Sequence, residues 1–174
     1  MRNVLTIAVA ALGVATVSAQ SQDPDALIPV NISVRLGIGL PLDNDLRDVS
    51  NSFLAFGLEY RTNRSLLKGG ETFFSADLFK GDKSDTGYIV PVALNQRFFT
   101  KSIGDGRRTY AFAGIGAAFL KGDDNWDTSI AVRGGLGAEL GEKIFLEGSL
   151  TLTDKSSRAG FNGNLIGLYV GYRF

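Results

Sequence analysis

Counting back by twos from Phe174 gives Tyr172, Val170, Leu168 and Ile166, all apolar or aromatic. The other parity gives Arg173, Gly171, Tyr169, Gly167 and Leu165. Successive side chains of a β-strand point to opposite faces, so a period of two marks a strand with one oily face and one mixed face. A helix cannot hold that pattern, because its 3.6-residue period scatters alternate positions around the axis. The same alternation recurs from Val30 to the last residue, which restricts the fold to an all-β architecture.

Seven further runs precede the terminal one. The first, Val30 to Leu40, sets Ile32, Val34, Leu36, Ile38 and Leu40 against Asn31, Ser33, Arg35, Gly37 and Gly39. The second sets Leu54, Phe56, Leu58 and Tyr60 against Ala55, Gly57, Glu59 and Arg61. The third is less regular, with Phe74, Ala76 and Leu78 opposing Phe73, Ser75, Asp77 and Phe79. The fourth puts Tyr88, Val90, Val92, Leu94 and Phe98 on the apolar face and Asn95 and Arg97 on the other. Pro91 lacks a ladder donor, so a bulge or weak pairing is expected there. The fifth places Ala111, Ala113, Ile115, Ala117 and Phe119 outward, with Gly114 and Gly116 inside. In the sixth, Ile130, Val132, Leu136 and Ala138 oppose Arg133, Gly135, Gly137 and Glu139. In the seventh, Ile144, Leu146, Leu150 and Leu152 oppose Glu147, Ser149, Thr151 and Thr153.

An even strand number returns both ends of the chain to one side, and the links alternate to match. Those after odd strands are polar: Asp43 to Ser52, Gly81 to Gly87, Lys121 to Thr128 and Asp154 to Gly160. After even strands, Gly141-Glu142-Lys143 is tight. The links around Asn63 to Gly70 and Lys101 to Arg107 are longer, with turn chemistry from Gly69-Gly70 and Gly104-Asp105-Gly106.

The N-terminus predicts export. Arg2 precedes an uncharged apolar stretch from Val4 to Val17, and Val17-Ser18-Ala19 offers the small residues of a cleavage site. That stretch is short for a membrane-spanning helix, which needs about 20 apolar residues. The expected organisation is a cleaved signal peptide over 1–19, a leader over 20–29 and one eight-stranded barrel over 30–174. There is no cysteine, so stability must come without disulfides. Lysine plus arginine equals aspartate plus glutamate at 18 each. That balance gives no basic excess for nucleic acid. The 22 glycines suit tight turns and a crowded interior.

Periodicity does not say whether the apolar face meets a core or a bilayer. A soluble barrel turns its oily face inward, whereas a membrane barrel turns it outward around a polar lumen. Outward-parity aromatics gather at one end, at Tyr60, Phe74, Phe98, Tyr172 and Phe174, where an interfacial girdle belongs. The polar face mixes Arg and Glu with glycines, which suits a narrow lumen. Both features favour an antiparallel up-and-down transmembrane β-barrel of eight strands.

Val90-Pro91-Val92-Ala93-Leu94-Asn95 and the closing Gly167-Leu168-Tyr169-Val170-Gly171-Tyr172-Arg173-Phe174 resemble the small eight-stranded bacterial outer-membrane β-barrel group, which includes the OmpA transmembrane domain and OmpX-like proteins. The resemblance implies residence in the bacterial outer membrane, contact with its lipid, and delivery by the barrel-insertion machinery. In that group the last strand is the insertion signal, which maps here onto Ile166, Leu168, Val170, Tyr172 and Phe174. No counterpart of the peptidoglycan-binding domain of full-length OmpA is expected here, so a wall-anchoring role is not carried over. Outer-membrane barrel enzymes of the phospholipase, lipid A deacylase, palmitoyltransferase and omptin types resemble one another in using an active-site His. This chain has no His and no Cys, so neither a Ser-His dyad nor a thiolate nucleophile can be built.

Inside such a barrel, Arg35, Glu59, Arg61, Asp77, Arg97, Arg133, Glu139 and Glu147 are expected to converge. Eight strands leave room only for side chains, so a packed ion-pair network is preferred over a conducting lumen. Asp123-Asp124-Asn125-Trp126-Asp127 alternates acids as calcium loops do, but lacks the central Gly and distant Glu of an EF-hand. It reads as a solvated turn, as does the cluster Asp43, Asp45 and Asp48. No cofactor or metal is expected. The expected function is structural or surface-interacting and adhesion-like, with the loops meeting an external partner. The alternatives are a small ion-conducting pore and a soluble periplasmic barrel holding an apolar ligand.

Overall fold

The computed structural model describes residues 31–81, 87–100, 107–122, 126–156 and 159–174. Within them the strands are β1 (Ile32–Pro41), β2 (Phe53–Arg61), β3 (Gly70–Gly81), β4 (Tyr88–Phe99), β5 (Thr109–Lys121), β6 (Trp126–Glu139), β7 (Ile144–Thr153) and β8 (Leu165–Arg173). One short helix, α1 (Asn44–Val49), lies between β1 and β2. Each strand pairs antiparallel with its neighbours in sequence, and β8 closes the barrel against β1. The expected signal peptide and leader, and residues 123–125 of the acidic turn, lie outside the described residues.

The register follows the alternation. Val170 of β8 lies opposite Leu36 of β1, and Tyr172 opposite Val34. One outward row therefore runs from Leu146 through Val170, Leu36 and Phe56 to Leu78. These cross-strand apolar pairs hold the sheet together on its outer face. That face is bare of protein: Leu36 is 62% exposed, Ile130 68% and Leu136 69%. A continuous oily surface of this extent is an aggregation hazard in water and a match for hydrocarbon. Arginine at position 136 should cost about 2–4 kcal/mol in phospholipid vesicles, read as a lower urea midpoint. An unchanged midpoint would mean that this face meets water.

Tyr60, Phe74, Phe98, Tyr172 and Phe174 all point outward at the end of the barrel that holds Ile32 and Arg173. A second aromatic group marks the opposite rim, where the rings of Tyr88 and Trp126 lie 6.5 Å apart. The ammonium groups of Lys80 and Lys121 stand 5.9 and 5.5 Å from the centre of the Tyr88 ring. Aromatic bodies with cationic neighbours suit a membrane–water boundary.

Two local expectations change, and at Pro91 the structure has the weak pairing and not the bulge. There β3 and β4 pair as far as Ala76 and Val92, then resume in the same register at Phe79 and Ile89. The proline removes pairs without inserting a residue, and it keeps Ala118 opposite it in β5. Trp126 and Asp127 begin β6 rather than sitting in a loop. Asp43 to Ser52 is not simply a polar loop, because it contains α1, whose Leu46 is fully buried.

Candidate functional site: the barrel interior

The interior is layered rather than uniformly polar, which corrects the expectation of a polar lumen. At the α1 end, Leu46, Phe53, Phe79, Ile89, Leu120, Phe161 and Leu165 are buried together, with Tyr169 beside them. At the other end Phe73, Tyr110, Phe112 and Phe145 form a second buried cluster, with Phe99 packed against it. Several of these rings sit where the neighbouring strand offers only hydrogen: Tyr110 faces Gly137, Phe112 faces Gly135, and Phe145 faces Gly171. A Cβ at any of the three glycines would run into the ring. Inward glycines thus make room for inward aromatics.

Between the clusters lies a charged layer. The guanidinium of Arg35 stands 5.1 Å from the ring centre of Tyr169 in the first cluster. Arg97 stands 4.1 Å from that of Phe73, and Arg133 5.2 Å from that of Phe112, in the second. Glu147 is the hub. It accepts hydrogen bonds from Arg35 Nη1, from Arg133 Nη2 at 3.1 Å and from Tyr110 OH at 3.0 Å. Arg97 Nη2 lies 3.8 Å from its other oxygen. Asp77 pairs with Arg35 at 2.9 Å and Arg133 at 2.7 Å. Glu59 takes both terminal nitrogens of Arg97, at 2.9 and 2.6 Å. Ser75 Oγ accepts from Arg133 at 2.8 Å and from Asn95 Nδ2 at 2.9 Å. Three arginines meet three carboxylates, all buried. That neutrality matters because an uncompensated buried charge is expensive.

Two of the candidate lumen residues join a separate group at the rim opposite α1. Among the described residues, Arg61 pairs with Glu71 at 4.0 Å, with 22% of its side chain exposed. It ends β2 at the mouth, where solvent competes for its charge. Glu139 binds Arg108 at 2.7 and 3.0 Å, and also Arg173. The hydrogen bonds that Arg108, just outside β5, donates to the Glu139 carboxylate are the largest influence on it and raise its pKa. Glu71 also pairs with Arg97 at 3.2 Å and so links the rim to the layer above. Tyr110, Ser75, Glu71 and Arg108 were not among the sequence candidates. Parity would have pointed Tyr110 and Ser75 inward, but no spacing rule pairs them with charges on distant strands.

Of the acidic cluster, Asp45 meets Lys155 at 3.3 Å on the surface. Among the described residues, no group of acids is arranged to hold a metal ion. Ile166, Leu168, Val170, Tyr172 and Phe174 all face outward, with the last two rings 5.2 Å apart and edge-on.

The family described as outer membrane protein β-barrel domain matches residues 7–174. No curated protein matches the chain. Among solved structures, the chain is similar to the N-terminal β-barrel domain of Pseudomonas aeruginosa OprF, with a TM-score of 0.50 and 17% identity, covering 84% of this chain and 100% of that one. It is also similar to the Yersinia pestis outer membrane protein Ail, with a TM-score of 0.49 and 17% identity, covering 82% of this chain and 98% of that one. At that identity the likeness to the OprF barrel is one of fold.

Proposed function

The chain belongs to the outer-membrane protein β-barrel domain family, and from that premise we propose a structural and surface-interacting, adhesion-like role, with a lumen that conducts nothing. The observation that carries this role is the layered interior. An ion entering at α1 would have to cross a plug of buried apolar side chains, then a charge layer of three arginines paired with three carboxylates, then an aromatic cluster. Desolvation at each apolar layer opposes passage. The lumen carboxylates are each held by arginine and the chain has no His or Cys, which supports a non-enzymatic role.

The end bearing α1 supports a surface role. There Leu46 anchors α1 in the apolar plug, and Lys155 bridges to Asp45. Ser156 Oγ donates to Asp127 Oδ2 at 2.7 Å, tying the segment after β7 to the start of β6. A platform ordered in this way loses little further freedom on meeting a partner. In this role α1 faces the exterior and the rim with Ile32 and Arg173 faces the periplasm. The signal peptide is removed after Ala19, leaving a leader over 20–29, and the outward residues of β8 serve the insertion machinery.

Planar-bilayer recording tests the sealed lumen. Purified protein should insert and give no reproducible conductance steps, whereas steady unitary steps would favour the pore. Insertion itself is checked by migration in SDS gels, where the unboiled barrel should run apart from the boiled chain. Release from cells by osmotic shock without detergent would instead support the soluble barrel.

A further inference from the structure

We propose that the turn 62–69, which joins β2 to β3, is a lipid-contacting wedge that lays Leu66 and Leu67 into the leaflet at the rim opposite α1; this rests on the membrane-spanning role above. The turn folds back over the outer face of β3 and β4. Thr72 and Gln96 occupy outward positions there, in parity with the exposed Phe74 and Phe98, yet both are spent on the turn. Leu66 N donates to Thr72 Oγ1 at 2.9 Å, Thr72 Oγ1 donates to Gln96 Oε1 at 2.7 Å, and Gln96 Nε2 donates to Ser65 Oγ at 2.9 Å. Thr62 N closes the loop onto Thr72 O at 2.9 Å. Two polar side chains on a lipid-facing surface are costly when bare, and the turn satisfies them.

The backbone is built for this fold-back. Gly69 sits at φ +80, a left-handed conformation that other residues rarely adopt. Gly70 leaves open the space that the Gln96 amide crosses, and a Cβ there would run into Gln96 Nε2.

What the fold-back presents is two consecutive leucines, 70% and 55% exposed. Arg64 and Lys68 flank them, both exposed, and the segment 62–69 holds no acid. Leucines that seek hydrocarbon, set between cations that reach phosphate, are the chemistry of an interfacial segment. Continuity with the apolar belt at Phe74 and Phe98 assigns the surface to lipid rather than to a protein partner.

The chain has one tryptophan, so Trp126→Phe gives a silent background for Leu66→Trp and Leu67→Trp. In phosphatidylcholine vesicles the new indole should sit about 5–10 Å into the headgroup–acyl boundary. It should show blue-shifted emission, loss of intensity with brominated acyl chains, and shielding from aqueous iodide. Solvent-like emission that iodide quenches and bromolipid leaves unchanged would overturn the proposal. Leu136→Trp in the same background reports on the membrane-spanning role: quenching there but not at 66 or 67 sinks the wedge alone. Should a tryptophan variant give no folded band, Leu67→Cys in this cysteine-free chain carries a nitroxide. Greater access to oxygen than to a water-soluble nickel complex then supports the wedge, and the reverse overturns it.

Discussion

Replacing Glu147 by alanine should lower the stability of the barrel by about 3–5 kcal/mol. The side chain is almost fully buried and neutralises Arg35 and Arg133 directly, with Arg97 within reach. Arginine keeps its charge at any accessible pH, so losing Glu147 leaves three buried cations facing two buried carboxylates, Asp77 and Glu59, with the partly exposed Glu71 in reach of Arg97 alone. Tyr110 also loses its acceptor. Arg61→Gln is the contrast: its pair with Glu71 is long and partly solvated, so the loss should stay below about 1 kcal/mol. Urea titration in vesicles, followed by the heat-shift gel, separates the two. Equal midpoints for the two variants would mean that the charged layer is hydrated rather than packed.

Phe79→Ala should be comparably damaging, at about 3–5 kcal/mol, for a different reason. Its ring is fully buried, lies 6.2 Å from that of Tyr169, and packs over the open space at Gly39. Truncation leaves a hole lined by apolar atoms. Such cavities stay dry, so the variant should unfold at lower urea and still give no steady conductance in planar bilayers. Conductance steps in the variant, absent from the parent, would make the ring a gate rather than a core residue. A midpoint shift worth less than about 1 kcal/mol would mean that the α1 end is loosely filled.

The two variants separate what was legible in the chain from what was not. Both positions point inward by parity alone, because a strand alternates faces whatever surrounds it. Neither partner set follows from that rule. Arg35 and Glu147 lie 112 positions apart, and they meet because strand tilt and stagger bring β1 and β7 to one height in the lumen. The irregular look of β3 has the same origin. Phe73, Ser75, Asp77 and Phe79 share a face because β3 runs from the aromatic cluster through the charged layer into the apolar plug. Thr72 and Gln96 are polar side chains on an otherwise oily face, and the folded turn supplies their partners. Arg61 was grouped with the lumen charges by parity, but the mouth of the barrel falls at its position.

By itself the sequence determined the strand number and which face of every strand is apolar. One period of two, repeated along the chain, carries that information locally, and the aromatics gathered at one end turn the apolar face toward lipid. Only the tertiary structure decided the rest: an interior in layers, a charge network centred on Glu147, α1 set into the plug, and a turn laid over the outer wall. Those features join residues far apart in the chain, and their geometry exists only once the barrel has closed and set each strand's height.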